Sequence, residues 1–161
     1  GASQANGGPY PCITTCEEPK SHTEWTFESE AICIPTVSST GHGHASIKRI
    51  HYVSGKFSAA TITAVLTKKE GVEIYIPYVY YYLLAHKDEL LVPLMRGAAN
   101  VSLNEERLGK LRIPVPTTIE EQKRIVDRLV CAKEKVDALK SQLKIAEENF
   151  ETEFSELREI F

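Results

Sequence analysis

The sequence predicts an α+β head carrying one long C-terminal helix, and three observations carry that prediction. Ile119 to Phe161 form an unbroken helical pattern in which Gln122, Leu129, Val136, Leu143, Phe150 and Leu157 recur every seven residues. Ile125, Ala132, Leu139, Ala146 and Ile160 fill a second apolar seam, broken only by Glu153. Such a repeat over several heptads is the signature of a coiled coil, which needs a partner to cover its seam. A helix of that length extends roughly 65 Å, too long to fold back into a compact domain of this size. Upstream, short β-rich runs and one helical stretch follow each other without regular strand–helix alternation, which points to α+β. A head over residues 1–116 and a helix over 117–161 are therefore expected.

Taken in order, Asn6 to Pro11 is turn-rich, and Cys12 to Thr15 begins a short strand. Trp25-Thr26-Phe27 and Ala31 to Pro35 read as two strands separated by an acidic turn. Thr36 to Ser46 (TVSSTGHGHAS) is a loop of small residues with two glycines. Ile47 to Val53 and Ser58 to Leu66 read as strands, the latter rich in β-branched side chains. Pro77 opens a helix, with Tyr75, Tyr78, Val79, Tyr82, Leu83 and His86 on one face as core packing. Ser102-Leu103-Asn104-Glu105 has the form of a capping box for a short helix ending near Gly109. Leu111 to Val115 reads as an edge strand because Pro114 interrupts it. Thr118-Ile119-Glu120-Glu121 is a second capping box that launches the long helix.

The net charge of -3 conceals an uneven distribution. No carboxylate occurs between Glu30 and Glu70, a stretch that carries Lys48, Arg49, Lys56, Lys68 and Lys69 with His42, His44 and His51. A locally electropositive face suits an anionic partner; the competing reading is a solvated surface balanced by acids from elsewhere in the fold. The four cysteines, Cys12, Cys16, Cys33 and Cys131, are too few for a disulfide framework. Cys12-x3-Cys16 with His42-x-His44 is looser than the spacing of structural zinc sites, so reduced thiols without metal are expected. No apolar run approaches membrane-spanning length, and a cytoplasmic location is the expectation. The chain opens Gly1-Ala2-Ser3 without a methionine, as an excised fragment would.

Two segments carry a recognisable pattern. One runs from Arg96-Gly97 through Asn100-Val101-Ser102-Leu103-Asn104 and Leu108 to Ile113-Pro114-Val115-Pro116; the other is Glu121-Gln122-Lys123-Arg124-Ile125-Val126. Together they resemble the end of a target-recognition domain and the start of the conserved helix in DNA-specificity subunits of type I restriction-modification systems. Gly8-Pro9-Tyr10-Pro11, Ala31-Ile32-Cys33-Ile34-Pro35 and Gly55-Lys56-Phe57 are similar to further family segments in the same order. Two departures stand out: an expected first strand and turn are lacking, and one recognition domain with one helix is present where a full subunit has two.

The resemblance implies a recognition domain over 1–116 and a conserved coiled-coil spacer and dimerisation helix over 117–161. It implies double-stranded DNA as ligand, with methyltransferase subunits, and a restriction subunit in some assemblies, as partners. It also implies pairing of the helix with a second recognition half, so that two heads read a split site. For phosphate contacts the expected residues are Lys48, Arg49, Lys56 and Arg96. For base edges they are the loop residues Lys20, His22, Ser39, His42 and His44, whose donors and acceptors suit major-groove edges. Gln122 is expected to fix register within the helix seam. No cofactor, metal or catalytic residue is expected, because the chain has neither a glycine motif for S-adenosylmethionine nor an Asn/Asp-Pro-Pro-aromatic motif. Two other readings stay open: the recognition tail of a single-chain restriction-methylation enzyme, and a coiled-coil assembly protein with a protein-binding head.

Overall fold

In the computed structural model, residues 7–40, 43–98 and 100–160 are described, apart from the side chain of Glu159. The chain divides into two compact units, Gly1–Gln122 and Lys123–Phe161. The first is built on a five-stranded mixed sheet of order β2-β1-β4-β3-β5, comprising β1 (Tyr10–Ile13), β2 (Lys20–His22), β3 (Phe27–Pro35), β4 (His51–Ala59) and β5 (Thr63–Thr67). Only the β1–β4 pair is parallel; the other three are antiparallel. After the sheet come α1 (Ile76–Ala85), α2 (Lys87–Leu90) and a 3₁₀ turn, Val92–Leu94. A two-stranded ribbon, β6 (Met95–Arg96) and β7 (Ser102–Leu103), precedes α3 (Glu105–Gly109) and α4 (Ile119–Ile160). The expected α+β class with a long C-terminal helix is what the chain adopts.

Strand alternation explains one departure from expectation. Glu28 and Glu30 lie on one face of a continuous β3, not in a turn between two strands, and the same face further along carries the buried Ile32 and Ile34. Glu28 stands opposite Lys56 across the β3–β4 pair, and the Tyr52 hydroxyl donates to Glu30 Oε1 at 2.5 Å. The alternate residues Ala31 and Cys33 are fully buried beside Ile13, Val53 and Phe57. Burial pushes the Cys33 thiol up to about 12, so it stays protonated and inert. All four cysteines are free thiols.

The next two expected strands shift in position. Ile47 to Ile50 is irregular chain whose two isoleucines plug into the main core, and the strand begins only at His51. Ser58 to Leu66 is not one strand either: β4 ends at Ala59, and the Thr63 N–H donates back to Ala60 O at 3.0 Å to open β5. No glycine or proline marks that turn, which is why β-propensity runs straight through it.

The main core lies where α1, the 3₁₀ turn and the β6–β7 ribbon cover Ile32, Ile34, Ile47 and Ile50 of the sheet side. Pro77 sits in the first turn of α1 as expected, and Tyr78 and Leu83 are buried from its apolar face. Asn104, not Ser102, caps α3: its side chain accepts from the Arg107 N–H at 2.9 Å while Ser102 pairs in β7. Leu111 to Val115 forms no strand; Pro114 O accepts from the Tyr78 hydroxyl at 3.0 Å instead. Thr118 caps α4 as expected, its Oγ1 accepting from the Glu121 N–H at 3.2 Å.

Gln122 departs most from its expected role. It is 0 % exposed and lies inside the head, not on an open seam. Its Oε1 accepts from the Tyr75 N–H at 2.7 Å, and its Nε2 donates to Pro116 O at 2.9 Å. Beyond it, α4 exposes Val136, Leu139, Leu143, Phe150 and Leu157 in the single chain. No helix of the described residues is long and apolar enough to cross a membrane.

Replacing Gln122 by leucine keeps the volume but removes the bonds it makes to the half-buried Tyr75 N–H and Pro116 carbonyl. Each orphaned group costs about 1–3 kcal/mol. Urea melts of Gln122→Leu should therefore show a loss of at least ~2 kcal/mol. An unchanged midpoint would mean that water takes over both bonds.

His51 supplies a pH-dependent term. Burial, reinforced by nearby Arg49, holds its imidazole below the ordinary 6.5, against opposing contributions from the Cys16 backbone and Glu18. With the folded value depressed, the stabilisation is complete above pH 6.5 and is lost as pH falls toward the folded value. Thermal melts of wild type should drop over that acid window, and His51→Gln should flatten the drop.

Candidate nucleic-acid interface

A braced loop between β3 and β4 is the most organised polar surface of the head. Its residues are small and hydroxyl-rich, a composition that bonds its own backbone in turns. The Ser38 N–H donates to Val101 O at 3.0 Å, and the Ser39 N–H donates to Ser46 O at 2.9 Å, which closes the neck. Ser38 Oγ donates to His44 O at 2.5 Å and accepts from the Ser46 and Thr40 N–H groups at 3.1 and 3.3 Å. Thr40 Oγ1 donates to the same His44 carbonyl at 3.2 Å. Ser39 Oγ accepts from the Lys48 N–H at 2.9 Å.

These bonds display two side chains. His44 is exposed with its backbone carbonyl doubly held. Lys48 is exposed between the buried anchors Ile47 and Ile50, and no ion pair among the described residues engages it. A second segment joins this surface. Val37 bridges to Ser102, and the Leu103 N–H donates to Thr36 O at 2.7 Å. Gly43, at φ +81°, lies so close to the Ala98 carbonyl that a Cβ there would stand 2.6 Å from its oxygen.

The remaining expected contacts are distributed differently. His42 lies outside the described residues. Lys20 and His22 are not loop residues, as expected from sequence, but form β2 at the edge of the sheet. Pairing with β1 through Tyr10↔His22 and Cys12↔Lys20 explains why this polar tripeptide is extended. His22 Nδ1 accepts from the Glu24 N–H at 3.0 Å, so one imidazole edge is already occupied.

Three of the four expected phosphate ligands have intramolecular partners. Arg49 Nη2 meets Glu17 Oε2 at 2.5 Å, the balancing acid supplied from elsewhere in the fold. Lys56 Nζ stands 4.2 Å from the centre of the Trp25 ring, which also packs on Tyr10 at 4.9 Å. Arg96 Nη1 donates to Pro93 O at 2.8 Å and Met95 O at 2.7 Å, ending the 3₁₀ turn. Among the described residues Lys48 has no such side-chain partner. The residues that sequence reasoning missed are Ser38 and Thr40, which brace the loop, and Glu17 and Trp25, which engage the cations. The Ser-Ser-Thr run before Gly41 carried the signal for the first pair. Nothing local marked the second pair, because each lies 31 or more positions from its cation.

Among the described residues no cluster of three or more His, Cys, Asp or Glu side chains could hold a metal ion. Among the described residues the surface offers hydrogen-bond donors, the exposed Lys48 and a backbone held by its own hydroxyls.

Comparison with known families identifies the domain that carries this surface. Residues 2–147 match the type I restriction modification DNA specificity domain. Among solved structures, the fold resembles the S subunit of a type I restriction-modification system from M. genitalium with a TM-score of 0.62. The two are 18 % identical, and the similarity covers 86 % of this chain but 35 % of that one. This chain thus spans about a third of that subunit's length. No curated protein sequence matches the chain. A family match over most of the length, with the fold of an S subunit beneath it, leads to one assignment: the chain belongs to the type I restriction modification DNA specificity domain family.

Proposed function

We propose that this chain is the DNA-reading element of a restriction-modification assembly and recognises one half of a split target. The recognition domain occupies 1–116, and 117–161 form the conserved spacer that pairs with a second recognition half. Methyltransferase subunits, and a restriction subunit where present, supply the chemistry; the chain itself acts by binding, in the cytoplasm. The observation that carries this reading is the braced Ser38–Lys48 loop, which exposes the His44 side chain and a lysine, Lys48, that no ion pair among the described residues engages.

The expected contacts then divide by role. Lys48 neutralises phosphate, with smaller contributions from Arg49, Lys56 and Arg96, whose charges are partly engaged within the head. His44 and Ser39, with His42, reach base edges, and Lys20 and His22 approach from the sheet edge. Phosphate contacts set affinity and position, whereas edge contacts set sequence preference.

Salt titrations on random duplex DNA separate these roles. Lys48→Ala should reduce the slope of log K against log salt by about 0.9. Arg49→Ala should change it less, and Glu17→Ala should steepen it by freeing Arg49. Equal slopes for wild type and Lys48→Ala would remove Lys48 from the interface. On a duplex selected from a randomised pool, His44→Ala should lose about tenfold in affinity. An unaltered selected motif would exclude His44 from readout.

A further inference from the structure

Resting on the DNA-reading function proposed above, we infer that Ser38 is a specificity-positioning residue: its hydroxyl presets the backbone from which His44 reads a base edge. The hydroxyl contributes its single hydrogen to the His44 carbonyl and both of its accepting directions to the Thr40 and Ser46 N–H groups. Three points of the loop are thereby tied to one atom. Thr40 Oγ1 adds a second bond to the same carbonyl, so the peptide leaving His44 is held from two sides.

The loop is also set against the rest of the head. Its neck is tied to Val101 through the Ser38 N–H, and Gly43 abuts the Ala98 carbonyl. The positive φ of Gly43 and the 2.6 Å approach both exclude a side chain there. Behind the loop, Ile47 and Ile50 are locked in the core. Base readout by a loosely held loop loses affinity to the cost of ordering it, and a preset loop avoids that cost. Ser38 itself is half-buried and fully committed to its three backbone partners, so its role is to hold and not to touch DNA.

Phosphate binding does not depend on this hydroxyl in the same way. The Lys48 N–H is fixed by Ser39, and its flanking isoleucines fix the rest. Loss of the Ser38 hydroxyl should therefore degrade discrimination ahead of general affinity.

The test selects the preferred duplex of the wild-type full chain from a randomised double-stranded pool, then measures affinity for that duplex and for random duplex. Ser38→Ala should lower the ratio of selected to random affinity about tenfold, the scale of one lost edge contact. Ser38→Thr, which keeps the hydroxyl, should restore the ratio. Thr40→Val, which removes only the second bond to the His44 carbonyl, should give a smaller drop and provides the readout if Ser38→Ala melts early. Gly43→Ala should fall with Ser38→Ala by a different route, through backbone displacement against Ala98. If wild type selects a motif that needs His44 and both Ser38→Ala and Thr40→Val keep its ratio, the positioning role is overturned and the DNA-reading function stands. If wild type selects no motif, that function fails and this role falls with it.

Discussion

A single buried amide, the side chain of Gln122, holds together three parts of the head that share no regular secondary structure with one another. The N-terminus of α1 lacks a side-chain cap of its own, since Tyr75 cannot accept from the first-turn N–H groups. The Tyr75 N–H is satisfied from 47 residues away by Gln122 Oε1. The same amide donates to Pro116 O, in a segment where prolines 114 and 116 remove the donors that a strand would need. Gln122 sits in the first turn of α4, so that turn is bonded into the first unit. A residue that makes both an acceptor and a donor bond at zero exposure has few substitutes: glutamate lacks the donor and would bury charge, and apolar residues lack both.

That constraint also shows why the sequence was legible in some places and not in others. The heptad pattern correctly marks a long helix, yet it assigns Gln122 to an open seam. Periodicity reports which side of a helix a residue faces, and it carries no information about whether the first turn is built into the first unit. β3 failed for a related reason. Two glutamates within five residues look like a turn until the strand is seen to keep them on one face, opposite Lys56 and beneath the Tyr52 hydroxyl. Ile47 and Ile50, three apart in a strand-like run, were core plugs because tertiary burial overrode local β-propensity. The caps and the proline-led helix were legible because their chemistry is local. The cap falls on Asn104, two residues after the expected Ser102, while the helix end at Gly109 is as expected.

The electropositive stretch illustrates the same limit for the site. In sequence it holds eight basic or imidazole residues without a carboxylate, but its charge is redistributed by folding. Glu17 returns to Arg49, Trp25 lies beneath Lys56, and His51 is turned inward with its Nε2 buried and unbonded. An exposed ion pair contributes little stability, typically ~0–1 kcal/mol. Its consequence here is different: it lowers the net field around Arg49, while Lys48, Lys68 and Lys69 stay exposed and outside the ion pairs of the described residues. Small polar residues that sequence reading treats as filler turn out to set the shape of the surface. The hydroxyls of Ser38, Ser39 and Thr40 fix a backbone that glycine alone would leave free.

The long helix has its own internal logic beyond the head. Apolar positions alternate by three and four as far as Phe150, and there Glu153 occupies the position that should be apolar. Phe154 takes over one residue later, exposed and stacked on Phe150 at 5.9 Å between ring centres. The spacing from Ala146 to Phe150 to Phe154 is then four and four, which departs from the heptad toward an eleven-residue repeat. A heptad seam winds left-handed, while an eleven-residue repeat unwinds it, so the last two turns should run straighter than those before them. The same region carries six glutamates between Glu147 and Glu159 against one arginine, Arg158. Like charge with phosphate makes close approach to DNA unfavourable for that end. The helix thus separates its properties along its length: a polar anchor at Gln122, a heptad seam in the middle, and an acidic end where the heptad register breaks.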